Sequence, residues 1–425
     1  MTHVVILESN SRTGMLAVET AQELGWRTTF LRSQKLWPLY RGGRTDEILG
    51  RVDELIEIAS SFDVDLLSET LEAVNARNPV DALVTCVEYC TVPLAQAAER
   101  TGLRFTRREA VENARSKKTC RAILDSRGIA SARCGTGHTL DEMIEAAAHT
   151  GYPLIAKPVS GWGSLLASYV RNEAELAAYY ADYEARLPTL RDELQGTLQG
   201  GILIEQYLDG RVFSVEMGAQ DGRVIPFMIS EGKRSVEVPT MPLGTTMPAD
   251  LTPAESDAIF AYVASIIDAL GFDIGICHAE LALTSDGPRL IEFNPRVMGS
   301  SLPLIYRSCT GKNIYEYLLC IHAGQDIGEL PERYQCAVSS RTIAGWEDGT
   351  IRPDLAADWL DAIRDELVAC QIDAKAGQAI SGLKRNFFDS LGFIQVAADT
   401  PRESAMRGDR MAQRISGILG VEPCR

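Results

Sequence analysis

The apolar positions along the chain change period several times, and each change marks an element. Residues 3–32 read as strand, helix, strand: HVVILES, a loop to Gly14, MLAVETAQEL closed by Gly25, then RTTFL. A helix over 47–59, a strand over 81–86 (DALVTC) and a helix in VPLAQAAERTG continue the alternation. That order predicts a parallel sheet with helices on its faces. From Glu112 the pattern is helical through Lys117, Cys120, Ile123 and Leu124, and it stops at Gly128. Thr139 and Glu142 then have capping-box spacing at the head of another helix. The strand YPLIAK follows, ending at Lys157, and runs into a glycine-interrupted loop containing Ser160, Gly161, Trp162, Gly163 and Ser164.

A polar helical stretch reaches Leu198, after which ILIEQYLDGRVFSVEMGAQDGRVIPFMIS gives strands with turns at Asp209-Gly210 and Asp221-Gly222. Thr252-Pro253-Ala254-Glu255 supplies a cap, a first-turn proline and an acid three residues after the cap. The helix so started has an apolar face of Ile259, Phe260, Val263, Ile266, Ile267 and Leu270 and ends at Gly271. Farther on, IYEYLLCIHAG is helical, LGFIQVAA is a strand, and Thr400-Pro401-Arg402-Glu403 repeats the same helix-start chemistry. Residues 331–392 show no clear period.

The densest chemistry lies in GFDIGICHAELALTSDGPRLIEFNPRVMGSSLP, residues 271–303. Two apolar runs flank Ser285-Asp286-Gly287, which predicts a β-hairpin. A ladder symmetric about Asp286 sets Ala282 opposite Leu290, Leu281 opposite Ile291 and Glu280 opposite Glu292. Alternation then places Glu280, Glu292 and Asn294 on one face, with Leu281, Leu283, Ile291 and Phe293 on the core face. Like charges opposed across a ladder are destabilising. Two carboxylates and an amide oxygen make a hard, oxygen-rich set that suits Mg2+. Pro295 keeps Asn294 extended and ends the strand, so Arg296 leaves the sheet beside that set, where a guanidinium can grip a phosphoryl oxygen. A single Glu on an amphipathic strand is usually just solvated surface. The joint pattern E-x11-E-x-N-P-R is far more specific.

Composition narrows the reading. With 425 residues the chain is long enough for two to four domains, and its 45% hydrophobic and 24% charged content is that of an ordinary globular protein. A net charge of −16 argues against nucleic acid or an anionic membrane as partner. Neither a membrane span nor a signal peptide is expected, and the expected location is the cytoplasm. The 10 cysteines include no C-x2-C pair, and the 5 histidines are scattered, which disfavours a disulfide framework or a zinc site. The first strand is followed by Ser9-Asn10-Ser11-Arg12-Thr13-Gly14 rather than G-x-G-x-x-G, and the second runs into Arg32 rather than an acid, which disfavours a dinucleotide-dependent dehydrogenase.

Glu280, Glu292, Asn294 and Arg296 resemble the metal- and phosphate-binding signature of the ATP-grasp superfamily. The resemblance extends over about residues 1–325: Lys117 and Lys157 are similar to its two phosphate-binding lysines and Ser160 to Ser164 to its phosphate loop. Glu205, Gln206, Tyr207 and Leu208 resemble its adenine hinge, whereas Val212 stands where many relatives carry a ribose-binding acid. The resemblance implies a multidomain α/β and α+β architecture, an ATP-grasp fold behind an N-terminal open parallel α/β sheet domain. The expected domains are an N-terminal domain over 1–112, a first lobe over 113–204, a second lobe with the metal hairpin over 205–325, and a closing α+β lobe over 326–425.

Within that superfamily the chain looks most like the carboxylate–amine ligases that join amino acids, which implies ATP and Mg2+, or Mn2+, as cofactors, an acyl phosphate intermediate and a homodimer. His278, in G-I-C-H-A-E, alternates with Glu280 and is expected beside the reacting groups with Arg296. Gly299, Ser300 and Ser301 are expected to offer N–H groups to a substrate carboxylate, and Glu88 to hold a substrate ammonium. Two other functions fit the same motifs: a carboxylase or purine-type ligase acting on a one-carbon acid, and a nucleotide-binding regulatory protein without turnover.

Overall fold

The computed structural model describes residues 1–10, 13–42, 44–159, 166–189, 200–384 and 389–424. The N-terminal sheet contains β1 (His3–Leu7), β2 (Arg27–Ser33), β3 (Glu54–Ile58) and β4 (Ala82–Val84) in the order β3-β2-β1-β4. Every pairing is parallel. Val4, Ile6 and Leu7 are wholly buried, as central strands covered on both faces must be. The helix expected over 47–59 is not formed: a short helix, Arg44–Leu49, gives way to β3. ELIEI alternates along that strand, with Glu54, Ile56 and Ile58 more buried than Leu55 and Glu57, the period-2 signature of an edge strand.

The helical pattern after Glu112 is two helices rather than one. Arg108–Arg115 stops, Ser116 turns extended, and its hydroxyl accepts from the Thr119 amide to start Lys117–Ser126. Lys117 therefore sits on the first turn of its own helix.

Next comes an antiparallel four-stranded sheet of β5 (Cys134–Gly137), β6 (Leu154–Pro158), β7 (Ser168–Val170) and β8 (Ile202–Gln206), in the order β5-β8-β6-β7. Helices Leu140–Thr150 and Glu173–Arg186 bury Met143 and Leu176 against Leu154, Ile202 and Ile204. The loop Ser160 to Ser164 and the end of the stretch to Leu198, from residue 190 on, lie outside the described residues.

The remaining strands are β9 (Arg211–Gln220), β10 (Arg223–Arg234), β11 (Pro242–Met247), β12 (Ile274–Thr284), β13 (Gly287–Asn294), β14 (Ala337–Ile343), β15 (Gly349–Thr350), β16 (Ala369–Ile372), β17 (Ala379–Ile380) and β18 (Gly392–Ala398). Eight of them form one sheet, ordered β13-β12-β9-β10-β11-β14-β18-β16, and β15 pairs with β17 apart from it. The chain beyond residue 326 thus extends the sheet that carries the acidic hairpin. Thr252 and Glu255 close a full capping box at the head of Pro253–Leu270. That helix packs Ile259, Val263 and Ile266 on Phe213, Val215 and Phe293, so one face of the sheet is core, while on the other Phe227 and Ile276 join a second core with Leu318 and Ile321 of helix Ile314–Ala323. Among the described residues no helix is long and apolar enough to cross a membrane.

Candidate active site

The antiparallel four-stranded sheet and the eight-stranded sheet meet over a cleft of about 150 Å³, open to solvent at its mouth. Lys117, Lys157, Glu205, Gln206, Tyr207, Leu208, Glu280 and Glu292 all line it. Residues spread over more than 170 positions of sequence therefore share one cleft.

On one wall, Glu205 at the end of β8 is 3% exposed and accepts from two cations. Arg121 reaches Oε1 through Nε at 3.0 Å and Nη2 at 2.6 Å, and Lys157 Nζ lies 2.7 Å from Oε2. Burial alone would raise the Glu205 pKa, but Lys157 and then Arg121 outweigh it and hold the carboxyl below its ordinary value. The side chain of this expected hinge residue thus orients Lys157, while Tyr207 and Leu208 line the cleft beyond it. The same Arg121 Nη2 donates to the carbonyl of Ile291 on the opposite lobe at 2.8 Å.

On the other wall, the hairpin pairs Glu280 with Glu292 as expected, but by a different route. Thr284 faces Gly287 across Ser285-Asp286, one residue tighter than a ladder centred on Asp286, so Leu281 faces Leu290 and Ala282 faces Arg289. A β-bulge at Ile291 restores the register before the acids. The bulge has a second effect. Leu290 is wholly buried in the core, whereas Ile291, expected on the core face, lines the cleft instead, with its carbonyl held by Arg121.

Lys117 Nζ lies 2.6 Å from Glu292 Oε1, and Arg234 Nη2 lies 3.5 Å from Glu280 Oε2. Burial would raise the Glu292 pKa, but Lys117 first, then Lys157, hold it down to about 2. Glu280 is also held below its ordinary value, burial being outweighed by His278 and Arg234. Among the described residues no group of three or more His, Cys, Asp and Glu gathers as a metal cage. The set here is instead two ionised carboxylates and the amide of Asn294, whose Oδ1 is buried with no hydrogen-bond partner among the described residues. A buried acceptor left unpaired beside two acids fits a hard divalent cation.

His278 faces Asn294 on one side of its strand and Glu216 of β9 on the other. Its Nδ1 bonds Glu216 Oε1, and its Nε2 lies 3.6 Å from Glu280 Oε1. Burial would lower its pKa, but Glu216 and then Glu280 raise it to about 10. Arg296 is directed at Glu88, with Nε and Nη2 at 3.1 Å and 2.6 Å from Oε2, while Arg115 bonds Oε1. Both oxygens of Glu88 are thus held by guanidinium groups, and Arg296 and Arg115 in turn overcome burial to keep that carboxyl below its ordinary value. Ser301 precedes helix Leu302–Thr310, and Ser300 sits at φ 55°, its carbonyl accepting from the Thr13 hydroxyl at 2.8 Å.

Arg115, Arg234 and Glu216 carry this network and were not singled out by sequence reasoning. Glu216 left one trace, an acid inside the otherwise apolar run VEMGA.

Two lobes closing over a cleft lined by lysines, with paired acids on a hairpin, define the ATP-grasp fold. Residues 150–303 match the family model of the ATP-grasp domain and residues 18–104 that of the ATP-grasp N-terminal domain, so the chain belongs to the ATP-grasp superfamily. The alanine–anticapsin ligase of Bacillus amyloliquefaciens is 24% identical over 299 residues, which span 66% of this chain and 58% of that protein. The L-amino acid ligase structure from Bacillus licheniformis superposes with a TM-score of 0.78 at 22% identity, covering 100% of this chain and 99% of that one. The N5-carboxyaminoimidazole synthetase of Staphylococcus aureus, complexed with ADP, gives a TM-score of 0.69 at 16% identity over 98% of this chain and 97% of that one. At these identities the two structures establish the fold.

Proposed function

We propose that the protein is an ATP-dependent ligase that joins the carboxylate of one amino acid to the amine of another through an acyl phosphate. The carrying observation is the gathering of Lys117, Lys157, Glu280 and Glu292 on one cleft. ATP brings about four negative charges to its transferred phosphate, and positioning with charge neutralisation does most of the work of phosphoryl transfer. Lys157, oriented by Glu205, and Lys117, beside Glu292, are assigned to the phosphates. Glu280, Glu292 and Asn294 are assigned to holding Mg2+, which when bound would supply charge neutralisation to the transferred phosphoryl group. Tyr207 and Leu208 are assigned to the adenine, and Thr240 lines the same cleft as Val212, which has no polar group to offer the ribose.

In this reading a carboxylate oxygen takes the γ-phosphoryl group and ADP leaves. The amine nitrogen then attacks the acyl carbon, the bond to the phosphate oxygen breaks, and the nitrogen loses a proton to give the amide. Arg296 is assigned to the acyl phosphate and Gly299, Ser300 and Ser301 to a substrate carboxylate. An ammonium at Glu88 would have to displace a guanidinium, so Glu88 is assigned to orienting Arg296. The alanine–anticapsin and L-amino acid ligase relatives support amide ligation as the reaction. The test is phosphate release from ATP across pairs of amino acids, with mass analysis of products. Release that depends on an amino acid pair, with a product of the mass of their sum less water, is expected. Release indifferent to amino acids overturns the assignment.

A further inference from the structure

We propose that Glu216 is a positioning residue for the metal carboxylate Glu280, acting through the imidazole of His278. The inference rests on the assignment of Glu280 to the metal. Glu216 lies on a strand whose neighbours Val215 and Met217 belong to the core, and it is itself 1% exposed. Burying a carboxylate costs several kcal/mol unless something holds it. Among the described residues, what holds it is one ring nitrogen: the β9–β12 ladder sets Glu216 directly opposite His278, and Oε1 bonds Nδ1.

The other nitrogen is the informative one. His278 and Glu280 are two residues apart on one strand and so share a face, and Nε2 lies 3.6 Å from Glu280 Oε1. A ring tethered at Nδ1 cannot turn about its χ2 without losing that bond. The tether therefore fixes where Nε2 points, and Nε2 lies beside an oxygen of the carboxylate assigned to the metal. Glu280 is the partly exposed end of this chain and Glu216 the buried end, so the order runs from the core outward to the cleft. Groups one step behind a metal ligand typically set metal affinity by about 10- to 100-fold by orienting it.

The test measures Mn2+ binding to the full chain with ADP present, read from the free-ion electron paramagnetic resonance signal, together with ADP affinity in the absence of metal. Glu280→Gln is the reference and should weaken Mn2+ at least tenfold. Glu216→Met, which keeps volume but offers Nδ1 no acceptor, should weaken Mn2+ by about 10- to 100-fold while metal-free ADP affinity stays put. Loss of fold would move both. Glu216→Gln, whose amide oxygen still accepts from Nδ1, should recover part of the affinity. Glu216→Met combined with His278→Met should bind Mn2+ no more weakly than Glu216→Met alone, and it leaves no unpaired core charge if the single variant does not fold.

Wild-type Mn2+ affinity in Glu216→Met, or in the double variant, with Glu280→Gln weakened, overturns this inference and leaves the metal site standing. Unchanged affinity in Glu280→Gln overturns the metal site, and this inference with it. Further weakening in the double variant overturns the route through His278.

Discussion

Two acid clusters line the cleft, one buried and one partly exposed, and the protein treats them oppositely. Glu205 is closed: Arg121 takes one oxygen, Lys157 the other, and the group is 3% exposed. The hairpin is open: Glu280 and Glu292 face each other with only partial cover from Arg234 and Lys117, and among the described residues Asn294 Oδ1 has no hydrogen-bond partner. A closed cluster is a structural device that presents Lys157. An open one has coordination to give, and the carbonyl of Ile291, tied to Arg121, sets the two at a fixed relation. The difference teaches which acids to test for stability and which for binding.

The largest expected effect falls on the closed cluster. Removing one partner of a buried ionic group leaves charge uncompensated, so Glu205→Gln should destabilise the protein by about 3–5 kcal/mol, seen as a lower midpoint of urea unfolding. Because the folded pKa of Glu205 is depressed, its contribution is fully present above the unfolded value of about 4.3 and is lost as pH falls below it. The wild-type advantage over Glu205→Gln should therefore shrink on acidification below about pH 4.3. An advantage independent of pH would show that Glu205 is not held ionised by its partners. By contrast Glu280→Gln should change metal-free stability by no more than about 1 kcal/mol, since it removes a cross-strand repulsion together with a partial ion pair.

A smaller effect is expected one step out from the closed cluster. Lys157→Met removes a phosphate-facing cation and leaves Glu205 with Arg121, so ATP affinity should fall by about 1.5–3 kcal/mol, measured by calorimetry. Equal loss for adenosine and for ATP would place Lys157 away from the phosphates.

How far the sequence carried this picture differs between the same two clusters. The opposition of Glu280 and Glu292 was legible because side-chain alternation and a turn suffice to set it. The route was not, since a tighter turn and a bulge at Ile291 cancel, and the bulged carbonyl finds its donor in Arg121, 170 residues away. The lysines were legible as positions, but the role of Glu205 was not, because its partners come from β6 and from the helix after Ser116. The break at Ser116 escaped because helical periodicity resumes at once on its far side. Glu216 escaped for a plainer reason: an acid within a core strand has meaning only once the ladder puts His278 opposite. The stretch 331–392 was opaque because β14 joins the sheet by pairing with β11, some 95 residues earlier.

The central claim is that the open cluster holds a divalent cation at the phosphates of a bound nucleotide. Calorimetric titration of ADP into the wild type, Glu280→Gln and Glu292→Gln, each with and without Mg2+, tests it most directly. The account predicts that Mg2+ tightens ADP binding to the wild type and that each substitution abolishes at least tenfold of that gain, about 1.4 kcal/mol. Variants that keep the full Mg2+-dependent gain would contradict it.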